Sequence, residues 1–494
     1  MSITTKSNYR SVYHFSPQHN WMNDPNGLVF FEGEYHLFFQ HHPASMVMGD
    51  MHWGHAVSRD LIHWEELPIA LAPDELGMIF SGSAVVDWNN TTGFFGNEPG
   101  LVAIFTHHLD MPEGQPAVQR QSLAYSKDKG RTWTKYEGNP VITHETFIDF
   151  RDPKVFWHAE KSRWVMIVAC GQTVCLYHSP DLIHWTFASE FGEGIGSHDG
   201  VWECPDLFRL AIDGNASDTK WVMLVSIGAE PDLAEGSRTQ YFTGDFDGTV
   251  FIPDEVSRNI RWIDYGRDNY AGVSWSDIPQ EDGRRLFIGW MSNWKYAQQT
   301  PTEGFRGAMT IPRELYLEAR DGAATLVQKP AQELEAARIP VLSLSHVTAG
   351  EINAACAGLQ LDAYEIEAVI GRGISAGFKV RMGAQNQTVT GIDAQTEELY
   401  VDRTASGEDD FHEVFPGRHA AKLLAPGTSV DLRIYVDRTS VEVFSNGGQA
   451  AVSDLIYPGP DANGLAAFAG NEEDLFQSVN IYKLSPPDAS GGSR

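Results

Sequence analysis

Three acidic residues stand in unusual company along this chain. Asp24 lies in His19-Asn20-Trp21-Met22-Asn23-Asp24-Pro25-Asn26-Gly27, between amide side chains and directly before a proline. Asp152 lies in Asp149-Phe150-Arg151-Asp152-Pro153-Lys154, again before a proline and directly after an arginine. Glu203 lies in Val201-Trp202-Glu203-Cys204-Pro205-Asp206, among bulky and weakly polar neighbours. Amide donors favour the ionised form of Asp24, because hydrogen bonds to a charged carboxylate lower its pKa. Arg151 is a fixed cation able to grip a carboxylate or a pair of hydroxyls with two parallel bonds. Burial without a cation raises the pKa of Glu203, as a general acid near neutral pH requires. Three carboxyl groups in three settings fit cleavage of a glycosidic bond. On that reading Asp24 is the nucleophile and Glu203 the acid and then the base. Asp152 holds the sugar or steadies positive charge in the transition state. Taken singly, each is more often an ordinary turn or surface acid, and neighbours on a strand point to opposite faces.

The segments that must position these groups read as an all-β chain. Asn23-Asp24-Pro25-Asn26-Gly27 is turn chemistry, with strand-like runs Val12–Phe15 and Leu28–Phe31 on either side. From residue 9 to 318, short β-branched and aromatic runs alternate with Gly, Asn, Asp and Pro, the pattern of a sandwich, barrel or propeller. A weak repeat narrows the choice. Ser58-Arg59-Asp60-Leu61-Ile62-His63-Trp64 recurs as Ser179-Pro180-Asp181-Leu182-Ile183-His184-Trp185, with a looser copy at Ser126–Trp133. A Ser-x-Asp turn closed by Trp, recurring between strands, fits the blades of a β-propeller, and its Trp residues read as blade packing. Residues 319–340 read as a linker with one short helix after Pro330. Residues 341–486 show period-2 alternation, with a hairpin turn at Ser445-Asn446-Gly447-Gly448, and predict a β-sandwich. Residues 487–494 read as a disordered tail.

Composition excludes some partners. Acidic residues number 66 against 36 basic ones, a formal net charge of −30. Such a surface repels nucleic acid and anionic membranes and favours neutral substrates. The 14 Trp, 26 Phe and 16 Tyr suit sheet cores, and their faces can also stack on sugar rings. The four cysteines, Cys170, Cys175, Cys204 and Cys356, lack zinc-site spacing and read as free thiols. His41-His42 and His107-His108 have no carboxylate at ligand spacing, so packing explains them better than metal. There is no apolar leader and no run of about 18 apolar residues. A cytoplasmic protein is expected, although removal of a signal peptide would leave the same sequence.

The motifs together carry a resemblance. Trp21–Gly27, Phe80-Ser81-Gly82-Ser83, Arg151-Asp152-Pro153 and Trp202-Glu203-Cys204 occur in the order seen in glycoside hydrolase family 32, which includes invertases, exo-inulinases, levanases and fructosyltransferases. Gly307–Leu315 and Val436–Phe444 extend the likeness almost end to end. The resemblance implies a five-bladed β-propeller followed by a β-sandwich, and a retaining mechanism through a fructosyl-enzyme intermediate. Residue by residue it makes Asp24 the nucleophile, Asp152 the transition-state stabiliser and Glu203 the acid/base. It implies contacts to a terminal fructose from Asn23, Gln40, Trp53, Phe80, Ser81 and Arg151, with Trp21 near the pocket and Cys204 beside Glu203. Tyr270 and Trp290 follow less directly: Asn269, beside Tyr270, stands where the family has an aromatic, whereas Trp290, in Gly289–Trp294, matches the family better. No cofactor or metal is implied. The expected activity is exo-acting release of fructose from sucrose, fructo-oligosaccharides, inulin or levan. A fructosyltransferase, a non-catalytic sugar-binding propeller and an inverting arabinan-type hydrolase are the rivals. The sequence leaves the oligomeric state open, a homodimer included.

Overall fold

The computed structural model describes residues 9–228, 235–423 and 427–485. Five antiparallel blades follow one another around an axis, the fourth and fifth joined into one sheet by a parallel pairing of Ile212 with Leu317, and the first strand of each blade lies innermost. These inner strands are β1 (Asn20–Phe31), β2 (Met78–Asp87), β3 (Phe150–His158), β4 (Trp202–Ile212) and β5 (Tyr270–Ser274). Each continues outward through hairpins. In the first blade β1 pairs with Glu34–His42, then His52–Ser58, then Glu65–Leu71. The short segment Phe305–Arg306 pairs in parallel with Asn20 and Trp21 and so ties the end of the propeller back to its beginning. Apolar side chains of neighbouring blades form the core between them, as where Val85, Ile104 and Leu123 meet Val155, Met166 and Val168.

The repeated turns are built alike. In the first blade Asp60 accepts from the backbone of Ile62 (3.0 Å) and His63 (2.8 Å) and from the His63 ring (2.7 Å). In the third, Asp181 accepts from Ile183 (3.0 Å), His184 (2.8 Å) and the His184 ring (2.7 Å). Leu61 and Leu182 both take positive φ, 62° and 65°, and the following Trp indole donates back to each leucine carbonyl. The turn joins the third strand of a blade to its fourth, and Trp64, Trp133 and Trp185 pack against apolar clusters.

The structure differs from the sequence reading in four places. Asn23–Gly27 is not a turn between strands but lies inside the 12-residue strand β1, and Val12–Phe15 forms no strand. The stretch expected as a linker is mostly folded sheet. Arg313–Arg320 and Ala323–Pro330 form the outer hairpin of the fifth blade, because their alternating apolar residues Leu315, Leu317, Ala324 and Leu326 are buried there. The helix after Pro330 is a 3₁₀ turn at Gln332–Ala337, and the sandwich begins directly at Arg338–Thr348. Cys170 and Cys175 are not free thiols but form a disulfide within one hairpin of the third blade, whereas Cys204 and Cys356 are free and buried. The expected tail lies outside the described residues.

The C-terminal sandwich packs a six-stranded sheet on a five-stranded one, with Ile366, Ile434 and Val443 facing Phe378, Val380 and Val401. Helix Ala349–Cys356 is capped by a reciprocal Thr348–Glu351 box. Buried ions join the two units. Arg313 of the propeller bonds Glu442 and Asp264, and His14 bridges Asp437 and Glu442 at 2.8 Å each. Arg403 of the sandwich meets Asp268 at 2.6 Å and the Tyr296 hydroxyl at 2.9 Å.

Candidate active site

All five inner strands are irregular near their N-terminal ends. The ladder slips between Met22 and Pro25 in β1, Phe80 and Gly82 in β2, Arg151 and Lys154 in β3, Glu203 and Asp206 in β4, and Tyr270 and Val273 in β5. A bulge re-aims side chains out of strict alternation, so consecutive residues can serve one site. Three of the slips carry a proline, Pro25, Pro153 and Pro205, which has no N–H to give a ladder and is tolerated at bulges. Asp152 (φ 65°) and Cys204 (φ 46°) take the left-handed backbone conformation at these slips. Gly27, at φ 54°, has no room for a side chain, because a Cβ there would meet Phe38 and Trp53.

The slips bring the three carboxyl groups together. Asp24 accepts from Asn23 Nδ2 on Oδ1 (3.1 Å) and from the Ser81 hydroxyl on Oδ2 (2.7 Å). The Cys204 thiol points at the same Oδ2 from 3.5 Å. Asp152 Oδ2 accepts from the Cys204 backbone N–H at 3.0 Å, and its own N–H donates to Thr106 Oγ1 at 3.0 Å. Glu203 Oε1 accepts from Arg151 Nη2 (2.8 Å) and Nε (3.3 Å), and the Tyr270 hydroxyl donates to Oε2. Arg151 also ion-pairs with Asp149 and stands 3.9 Å from Asp152. Side-chain exposure falls from Asp149 (37%) through Glu203 (21%) and Arg151 (11%) to Asp152 (6%), so the group narrows inward from one end of the axis.

Burial dominates the electrostatics. It raises the pKa of Asp24, and the bonds from Ser81, Asn23 and Cys204 offset only part of that. This corrects the expectation that amide donors alone would hold Asp24 low. Burial also pushes Asp152 up to about 7, with Arg151 opposing and Glu203 and Asp24 reinforcing. Glu203 is raised by burial, lowered in part by Arg151 and raised again by Asp24. Its environment is therefore not free of cations, as its sequence neighbours suggested. Arg151 spends its two-nitrogen grip on Glu203 and not on the adjacent Asp152. One guanidinium faces three acids, Asp149, Asp152 and Glu203, and the two buried ones, Asp152 and Glu203, raise each other and lose their protons as a pair.

Other expected residues surround this group. The Trp21 indole donates to Asn23 Oδ1 at 2.7 Å and packs on Trp290 and Trp294. Trp53 is fully buried and its indole donates to the Phe80 carbonyl at 3.0 Å, so it braces Phe80 and Ser81 from behind. Phe80 stacks on His108, with ring centroids 4.1 Å apart. Tyr270 and Trp290 are partners across β5 and its neighbour. Gln40 Nε2 and Trp290 Nε1 are buried donors with no partner among the described residues. Sequence reasoning gave no role to Asp149, Gln119, Thr106 or Trp294. Only Asp149 left a local sign, since it stands two residues before Arg151 and so shares its face in extended chain. A separate cavity of about 360 Å³ opens toward the other ends of the inner strands, lined by Val86, Trp88, Phe156, Asp206 and Asp277, and holds none of the three acids.

Known proteins share both the fold and the sequence. The pattern described as glycosyl hydrolases family 32 N-terminal domain matches residues 14–330, and that of the family 32 C terminal matches residues 333–483. A levanase of Bacillus subtilis is 51% identical over 483 residues, covering 96% of this chain and 70% of the relative. An extracellular exo-inulinase of Aspergillus niger is 40% identical over 515 residues, covering 97% of this chain and 95% of the relative. The crystal structure of exo-inulinase from Aspergillus awamori superposes with a TM-score of 0.85 at 35% identity, covering 98% of this chain and 99% of that one. A β-fructofuranosidase from Schwanniomyces occidentalis, complexed with fructosyl-erythritol, gives a TM-score of 0.85 at 30% identity, covering 98% and 100%. With both domains matched and the three carboxyl groups meeting at one end of a five-bladed propeller, the chain belongs to glycoside hydrolase family 32.

Proposed function

We propose that this glycoside hydrolase is an exo-acting β-fructofuranosidase that removes terminal fructose from sucrose, fructo-oligosaccharides, inulin or levan. The observation that carries the reading is the division of partners among the three acids. Asp24 is fixed by two strong donors and a thiol, Glu203 is the most exposed of the three and faces Arg151 and Tyr270, and Asp152 is locked by backbone. A bound β-fructofuranoside presents C2 to Asp24, whose carboxylate forms a bond to it as the C2–O bond to the leaving group breaks. Glu203 gives its proton to the departing oxygen. In the second step Glu203, now ionised, takes a proton from water, the water oxygen bonds to C2, and Asp24 leaves as carboxylate. Asp152 stabilises positive charge on the ring and holds hydroxyls, together with Arg151, Asn23 and Ser81. The unpartnered donors of Gln40 and Trp290 suit hydroxyl acceptors of a sugar. The relatives named levanase and exo-inulinase favour hydrolysis of fructans over transfer to another sugar.

The test is incubation of purified protein with sucrose, inulin and levan, with Asp24→Asn as control. Fructose released by the wild type and not by the variant supports the reading, and the relative rates rank the substrates. Release of internal oligosaccharides would sink exo action. Build-up of longer oligosaccharides from sucrose would make the chain a transferase.

A further inference from the structure

Arg151 is shared more widely than a simple ion pair requires. Its Nη1 faces Asp149 and, at 3.5 Å, Gln119 Oε1, while its Nη2 and Nε serve Glu203. The segment carrying Asp149 is anchored, since its carbonyl accepts from Gly171 at 2.8 Å and the next N–H, of Phe150, donates to Gln119 Oε1 at 2.8 Å. Asp149 is therefore a fixed anion at the outer edge of the pocket, on the far side of the guanidinium from Glu203. We propose that Asp149 is a positioning residue that shares the Arg151 guanidinium with Glu203 and so keeps Glu203 able to carry the catalytic proton. The idea rests on the reading of Glu203 as acid/base.

The physical argument concerns how one cation is divided. A guanidinium bonded to a single carboxylate favours that carboxylate's ionised form strongly. Asp149 occupies the Nη1 edge, and its own negative charge opposes ionisation of Glu203. The charged and titratable groups facing Glu203 are Arg151, Asp24, Asp152, Asp149, the Tyr270 hydroxyl and the Cys204 thiol. Those facing Arg151 are Asp149, Asp152 and Glu203, with His108 behind Gln119 at 3.1 Å and held in turn by Asp110. Of these, Asp149 is the acid that touches Arg151 without belonging to the reacting trio.

Asp149→Asn keeps the shape and removes the charge. The variant is expected to shift the basic limb of the kcat/KM profile on sucrose downward by about 0.5–1 pH unit, a loss of about 3- to 10-fold on that limb. The acid limb should move less, and Asp149→Glu should restore the wild-type profile. A carboxyl ¹³C titration of Glu203 in the same variants reads the shift without turnover, and Asp149→Ser serves if the Asn variant folds poorly. A basic limb that superimposes on wild type, or a uniform loss at all pH values, overturns the proposal. Failure of the wild type to act on any fructoside would instead overturn the functional reading.

Discussion

The backbone N–H of Cys204 donates to Oδ2 of Asp152 at 3.0 Å, across the gap between the third and fourth blades. The bond exists because Cys204 takes φ 46° at the slip in β4, which turns its N–H toward the axis. The same residue sends its thiol to Asp24. One residue beside the proposed acid/base thus touches the other two acids, and burial keeps its thiol protonated.

Cys204→Ala should retain the fold and the backbone bond to Asp152 but lose the thiol contact that helps lower the pKa of Asp24. The acid limb of kcat/KM should therefore move upward by a few tenths of a pH unit, about what one weak hydrogen bond supplies. Cys204→Val should do worse, since a β-branched side chain is strained at positive φ. A pH–rate series on the two variants, beside their thermal midpoints, checks both statements.

The wild-type pH–rate profile should be bell-shaped. With Asp24 as the proposed nucleophile, activity requires it ionised, and burial raises its pKa, so the acid limb should lie above the ordinary aspartate range. Activity also requires Glu203 to hold its proton, and burial raises its pKa as well. The basic limb should accordingly lie above the ordinary glutamate range, as loss of that proton leaves no general acid. Initial rates on sucrose from pH 3 to 10 settle the point, and a basic limb within the ordinary glutamate range would contradict it.

The interface between propeller and sandwich should have its own pH window. Burial opposes a charge on His14, but its bonds to Asp437 and Glu442 hold its pKa up at about 9. A group raised on folding stabilises fully below its unfolded pKa and ceases to do so as pH rises through about 9. Asp437 and Glu442 are lowered, the bonds from His14 and the charge of Arg313 outweighing burial, so their contribution fades as pH falls through the acid range. Stability should peak between these limits. His14→Ala leaves two buried carboxylates short of a partner and should cost about 3–5 kcal/mol. Urea unfolding at pH 5, 7 and 9.5 reads both effects.

The twin turns offer a direct comparison. Asp60→Ala and Asp181→Ala each remove the same set of bonds and should each cost about 1–3 kcal/mol. They lie in different blades with no shared partner, so the double variant should be additive to about 0.5 kcal/mol. Unequal losses would show that one blade tolerates opening of its turn and the other does not.

Much of this protein is written locally. Alternating apolar residues, the repeated Ser-x-Asp turn and the three short acid-bearing motifs determined an all-β chain, a propeller before a sandwich, and Asp24, Asp152 and Glu203 as the groups to watch. These features are legible because turn geometry and strand period depend on near neighbours. What Arg151 bonds to was not legible. Adjacency in sequence suggested Asp152, but the slip in β3 turns the guanidinium toward Glu203 on the next blade. Nor could local donors set the charge of Asp24, because the cost of removing it from water depends on blades far away in the chain. The Asn-Asp-Pro-Asn-Gly stretch carries turn residues and yet runs as strand, since the ladder to Glu34–His42 tolerates two slips. Hairpin pairing of Arg313–Arg320 with Ala323–Pro330 likewise prevailed over loop-like composition, because the fifth blade needs those apolar side chains to complete its core. The sequence determined which chemistry was on offer, and tertiary packing decided which acid meets which donor, because desolvation and bulged register are properties of the assembled sheets.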